Sequence, residues 1–123
     1  MFRIFLAVLA VAALGLTIAS TALSRSAKTT VNGTVGPGFT IKLTKAGKKV
    51  TSLKPGSYTF KISDKSDFHN FTLEQQKGGK FEKHLTGTGF KGNKSVTVKL
   101  KAGKWKYYCS VHESQMHGFF TVK

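Results

Sequence analysis

The stretch Lys104-Trp105-Lys106-Tyr107-Tyr108-Cys109-Ser110-Val111-His112-Glu113-Ser114-Gln115-Met116-His117-Gly118-Phe119-Phe120-Thr121-Val122 decides the fold of this chain. Trp105, Tyr107 and Cys109 alternate with Lys104, Lys106 and Tyr108, and Phe120 and Val122 resume the period of two after a turn. That period sends successive side chains to opposite faces of a strand. The stretch therefore reads as two strands joined by a short loop. Working outward, the same alternation recurs. Phe39, Ile41 and Leu43 alternate with polar residues, as do Tyr58, Phe60 and Ile62, and Val96, Val98 and Leu100. Phe68, Phe71 and Leu73 form one further strand around His69. Glycine and proline punctuate these runs, as at Gly36-Pro37-Gly38, Pro55-Gly56 and Gly78-Gly79. Residues 67–92 break the alternation most, which places a loop or short helical turn near Gln75 to His84. Beyond the N-terminal segment, no window carries apolar residues at helical spacing over three turns. Seven to eight short strands in an all-β chain mean a sandwich or small barrel.

The 123 residues suffice for one domain, and 40% are hydrophobic, enough for a packed core. The N-terminus is of a different character. Arg3 supplies a positive start, Ile4 to Leu16 is apolar apart from Gly15, and small and hydroxyl residues follow. This is the order of a secretory signal peptide, with Ser20-Thr21-Ala22 as a cleavage triplet. Ile4 to Leu23 is also long enough to span a bilayer as an uncleaved anchor. Residues 1–28 are thus read as a signal peptide or N-terminal membrane anchor with a short linker, and residues 29–123 as the folded domain. Either way the domain is exported, periplasmic or extracellular, with the anchor as a membrane tether. The net charge is +15. On an exported protein that charge points to acidic partner proteins, anionic membranes or cell-wall polymers, and not to nucleic acid.

One constellation carries chemistry. Cys109 is the single cysteine, so no disulfide framework and no multi-cysteine metal site exists within the chain. In an exported protein an unpaired thiol is open to oxidation, and ligation to a metal accounts for it. His112 follows three residues later and Met116 four after that, in one loop between strands, while a second imidazole lies upstream at His69. Two imidazoles, a thiolate and a weak thioether are the donor set of a blue copper site. His117 is the competing fourth donor. His84 has no partner spacing and reads as a surface residue. Trp105 and Tyr107 read as core. The chain contains no GxGxxG, no GxxxxGK[ST] and no HExxH. Cys109 and His112 could form a nucleophile–base pair, but no oxyanion donors or cleft accompany them, so the chain is not read as an enzyme.

Two motifs resemble the cupredoxin family. The first is His69-Asn70. The second is Tyr107-Tyr108-Cys109-x-x-His112 followed by Met116-x-Gly118-x-Phe120-x-Val122. The resemblance runs from about Val31 to Lys123. It implies a Greek-key β-sandwich and one type 1 copper ion. It assigns His69, Cys109 and His112 as equatorial ligands and Met116 as the axial one. Asn70 would tie the His69 strand to the Cys109 loop, and the docking face would be the apolar end around His112 with lysines at its rim. The function so implied is that of a monomeric carrier passing single electrons between redox partner proteins with acidic docking surfaces. Two other readings stand beside it: a copper delivery or storage module without redox turnover, and a metal-free adhesion or sensor sandwich.

Overall fold

The computed structural model describes residues 28–123. The expected signal peptide or anchor, with its cleavage triplet, lies outside the described residues. Ten strands follow one another: β1 Thr29–Val35, β2 Ile41–Lys45, β3 Lys48–Lys49, β4 Ser52–Leu53, β5 Gly56–Asp64, β6 Thr72–Lys77, β7 Glu82–His84, β8 Gly92–Leu100, β9 Gly103–Tyr108 and β10 His117–Val122. They form two five-stranded sheets, ordered β3-β2-β1-β5-β8 and β4-β10-β9-β6-β7. β1 runs parallel to β5 and β4 parallel to β10, and every other pairing is antiparallel. No helix occurs among the described residues. The all-β sandwich expected from the alternation is what forms. The strand number exceeds seven to eight because β3, β4 and β7 are only two or three residues long, too short to show a period.

The alternating residues close the sandwich. Phe60 and Ile62 of β5, Val98 and Leu100 of β8, Trp105 and Tyr107 of β9 and Phe120 and Val122 of β10 are all buried in one core. Each such side chain contributes about 1.5–3 kcal/mol of burial free energy. The rings also find favourable geometry: Phe71 stacks on Tyr107 at 5.8 Å and Trp105 on Phe120 at 6.2 Å. The Trp105 indole N–H donates to the Lys101 carbonyl at 2.9 Å, so its one polar group is satisfied inside the core.

Two strand expectations are corrected. His69 is not on a strand: β6 begins only at Thr72, and residues 65–71 form an irregular crossing from one sheet to the other. Phe39 and Phe68, read as inward-facing strand residues, are 52% and 54% exposed on loops. The expected irregularity near Gln75 to His84 is the β6–β7 hairpin. The exposure of Phe39 and Phe68 and the placement of His69 off a strand have one cause. The register Val35–Asp64–Gly92 across β1, β5 and β8, and Thr72–Tyr108–His117 across β6, β9 and β10, stops the sheets at a common edge. Residues 36–40, 65–71, 85–91 and 109–116 all leave the sandwich at that end.

Gly33 shows how tightly β1 is packed against its neighbours. A Cβ there would lie 2.5 Å from Ile62 Cδ1 and 2.8 Å from the Phe71 ring. Both neighbours are fully buried, so neither can swing away. Gly33→Ala is expected to destabilise the fold by about 1–3 kcal/mol through overpacking. Ile62→Val removes the methyl that clashes. The double variant should therefore lose less stability in urea denaturation than the two single losses combined.

Candidate metal centre

Two of the four loops supply the donors. Residues 109–116 close on themselves: the Cys109 N–H donates to the Met116 carbonyl at 3.0 Å, immediately beyond the Tyr108–His117 pair of the β9–β10 ladder. Inside the loop, the His112 N–H donates to the Cys109 carbonyl at 3.2 Å, and the Gln115 and Met116 N–H groups donate to the His112 carbonyl at 3.0 and 2.9 Å. Cys109, His112 and Met116 are thereby set on one tight turn. Lys106 and Glu113 form an ion pair across its outer side, the only one among the described residues. Gly118 is needed just after it, because a Cβ there would collide with the Tyr107 ring.

The second loop is pinned to the first by Asn70. Its side-chain oxygen accepts the Ser110 N–H at 2.8 Å, and its NH2 group donates to the Ser110 hydroxyl at 2.8 Å. Both contacts are made next to a donor residue, His69 on one side and Cys109 on the other. This is the tie that the resemblance implies for Asn70. His84, read from sequence as a surface residue, is exposed but not idle. Its Nδ1 lies 2.7 Å from the Thr72 hydroxyl and 3.4 Å from the Asn70 amide nitrogen. The contact arises from the Thr72–His84 pairing in the β6–β7 hairpin. No local motif in the sequence announces that pairing.

His69, Cys109 and His112 are brought together as a cluster able to hold a metal ion. His69 Nδ1 and His112 Nδ1 are 3.1 Å apart, and Cys109 Sγ is 3.7 Å from the first and 3.9 Å from the second. A point in the plane of these three atoms lies about 2.1 Å from each, within about 0.2 Å of metal–nitrogen and metal–thiolate bond lengths. Two imidazole lone pairs facing each other at 3.1 Å repel unless a proton or a cation lies between them. His69 Nε2 is buried without a partner, so the ring is held by packing and by its Nδ1 side alone. The donor set and its spacing therefore fit a metal that accepts nitrogen and soft sulfur together.

The two candidates for the fourth donor differ in placement. Met116 is fully buried in the core. His117 is exposed on β10, and its Nδ1 sits 2.7 Å from the Glu113 carbonyl, outside the donor cluster. Above the cluster the two exposed aromatics form a rim. Phe68 lies 4.3 Å from the His69 ring and Phe39 4.9 Å from the His112 ring, with Val111 exposed beside them.

A buried carboxyl braces the same end. Asp64 accepts the Ser66 N–H at 3.1 Å and the Thr86 hydroxyl at 3.3 Å, while Thr86 Oγ1 accepts the Phe71 N–H at 2.8 Å. Burial pushes the Asp64 carboxyl above its ordinary range, against the opposing pull of the Ser66 N–H, the Thr86 hydroxyl and His69. The folded protein thus keeps the Asp64 proton to higher pH than the unfolded chain does. Asp64's contribution is fully present below the unfolded carboxyl pKa of about 3.9 and is lost as pH rises through the higher folded value. The stability difference between wild type and Asp64→Asn should therefore move in favour of wild type as pH falls from 7 toward 4. Urea denaturation across that range measures it, and a flat or opposite trend would contradict the assignment.

No protein-family profile matches the chain, and no curated protein matches it. Solved structures do. The chain is similar to the copper protein rusticyanin, with 21% identity over 80% of each chain and a TM-score of 0.57. It is similar to reduced rusticyanin, with 22% identity over 80% of this chain and 81% of that one and a TM-score of 0.54. It also resembles an amicyanin variant in its reduced Cu(I) form, with 16% identity over 80% of this chain and 87% of that one and a TM-score of 0.50. Two five-stranded sheets in this order, with the donor loops at one end, give the chain the cupredoxin fold.

Proposed function

We propose that the chain is an exported carrier of single electrons, with one copper ion held by His69 Nδ1, His112 Nδ1 and Cys109 Sγ, and Met116 as the weak fourth donor. The observation that carries this reading is the convergence of the three donor atoms on one point at bonding distance. Copper bound there would supply a one-electron Cu(I)/Cu(II) couple. The names of the structural neighbours, a copper protein and a Cu(I) form, support the choice of metal.

The protein's own residues account for the rest. The Cys109–Met116 backbone bond and the Asn70–Ser110 clasp hold the donors against rearrangement. A fixed geometry that favours neither oxidation state keeps reorganisation small, which suits electron transfer. His69, Cys109 and Met116 are fully buried, and His112 alone is partly open, beneath Phe39, Phe68 and Val111. That edge is where a redox partner would dock. A buried donor set also favours a carrier over a delivery module, since release would require the loops to open. An acidic partner surface would meet Lys65 and Lys91 on the loops flanking the rim, alongside Asp67 and Glu113 of the opposite sign.

The test is redox cycling combined with substitution of the two fourth-donor candidates. The copper-loaded protein should be reduced and reoxidised repeatedly without losing metal. Met116→Leu should keep the metal and raise the reduction potential, because loss of a weak donor destabilises Cu(II) more than Cu(I). His117→Leu should leave the potential nearly unchanged. Release of copper on each reduction would favour the delivery reading. A potential that responds to His117→Leu and not to Met116→Leu would move the fourth donor to His117.

A further inference from the structure

The positive charge is not spread evenly over the sandwich. The end opposite the donor cluster carries an open groove of about 880 Å3, and its lining includes Lys28, Lys45, Lys54 and Lys123 but no Asp or Glu. The five acidic side chains lie elsewhere. Asp64, Asp67 and Glu113 are on or beside the donor loops, and Glu74 and Glu82 face each other across the β6–β7 hairpin. The only ion pair among the described residues, Lys106–Glu113, also braces the donor loop, so no lysine of the groove is neutralised by a side chain.

A second observation points the same way. At this pole the strand registers set lysine directly opposite lysine twice, Lys45 against Lys48 and Lys77 against Lys104. Like charges opposed across strands destabilise a sheet. A fold that places both pairs, and a groove lined by no Asp or Glu, at one end accumulates field there at some cost in stability. Chain direction adds a third observation. The polypeptide enters the domain at Lys28, a groove residue, and the apolar segment Ile4–Leu23 precedes it by five residues.

We propose that this lysine pole is a membrane-contact surface that lies against the phosphate headgroups of an anionic bilayer. The donor end with its Phe39–Phe68 rim is thereby turned away from the membrane, toward soluble partners. Phosphate is the fitting chemistry. The groove offers several flexible point charges, with Ser52 and Ser57 hydroxyls between them, and not the planar fork of arginine. Juxtamembrane lysines of this kind are attracted by anionic leaflets within a Debye length, about 8 Å at physiological salt. The inference is independent of the metal reading, since it uses no donor residue.

The experiment is residue-resolved lysine acylation of the full chain, read by mass spectrometry, on phosphatidylglycerol-rich vesicles and on pure phosphatidylcholine vesicles. On the anionic vesicles Lys45, Lys54 and Lys123 should be labelled several-fold more slowly than on the neutral ones. Lys65 and Lys91, at the donor end, should label equally on both. The protection should vanish in 1 M salt, where screening shortens to about 3 Å. Lys45→Gln with Lys54→Gln should weaken the protection of Lys123, each lysine contributing about fivefold in surface affinity. These are surface positions, and an unchanged thermal transition confirms that the fold is intact. Equal protection on both vesicles would show that the apolar segment alone holds the domain at the bilayer, and would overturn the proposal. So would protection at Lys65 and Lys91 instead. Protection by soluble polyphosphate but not by vesicles would assign the groove to a soluble polyanion and equally overturn it.

Discussion

Two imidazole nitrogens held 3.1 Å apart beside a thiol sulfur are the constraint on which this end of the molecule depends. Lone pairs so placed repel unless a proton or a cation lies between them. The donors are kept together by backbone geometry on one side and by a single amide on the other. The β9–β10 ladder stops at Tyr108–His117, and the next bond, Cys109 to Met116, folds the intervening residues into a tight turn. Asn70 then fastens the residue before it, His69, to the residue after Cys109. Without the clasp, the two loops would meet above the sandwich only through the donor atoms themselves and the Phe68–His112 ring contact. One layer deeper, the Asp64–Thr86–Phe71 bonds act in the same way, fixing where residues 65–71 cross between the sheets.

The sandwich was legible in the sequence wherever a strand is long and has one wet face. Tyr58, Phe60 and Ile62 alternate because their neighbours are exposed or half-buried; on β9 the period shows in residue type alone, since Lys106 and Tyr108 are themselves buried. Legibility ended where pairing is non-local. Nothing near Thr72 reveals that β6 starts only after His69, since that is set by its register with Tyr108 across the sheet. Phe39 and Phe68 misled because an aromatic beside alternating residues looks like a core position, yet both cover histidine rings at the surface. Of the site, the residue types and the Cys109–His112 spacing were readable locally. The contact of His84 with Asn70 and Thr72 was not, because it exists only through the hairpin.

Charge and apolar surface are divided between the two ends. The rim of Phe39, Phe68 and Val111 is hydrophobic, with acids and lysines mixed around it, while the opposite end is lysine without acid. Hydrophobic contact is short-ranged and tolerates exchange of partners, whereas a field of one sign attracts an extended anionic surface from a distance. A sandwich with its donors at one end and its chain entry at the other gives the two surfaces opposite directions without any moving element.

The central claim is that the fold presents His69, His112 and Cys109 as a ready-made trigonal set. Titration of the metal-free protein with Cu(II), followed by visible absorption, tests it most directly. An intense thiolate-to-copper charge-transfer band should grow to saturation at one equivalent, and Cys109→Ser should abolish it while the fold persists, because a hydroxyl cannot supply the soft, charge-donating ligand. A full band in Cys109→Ser, or none in the wild type, would contradict the account.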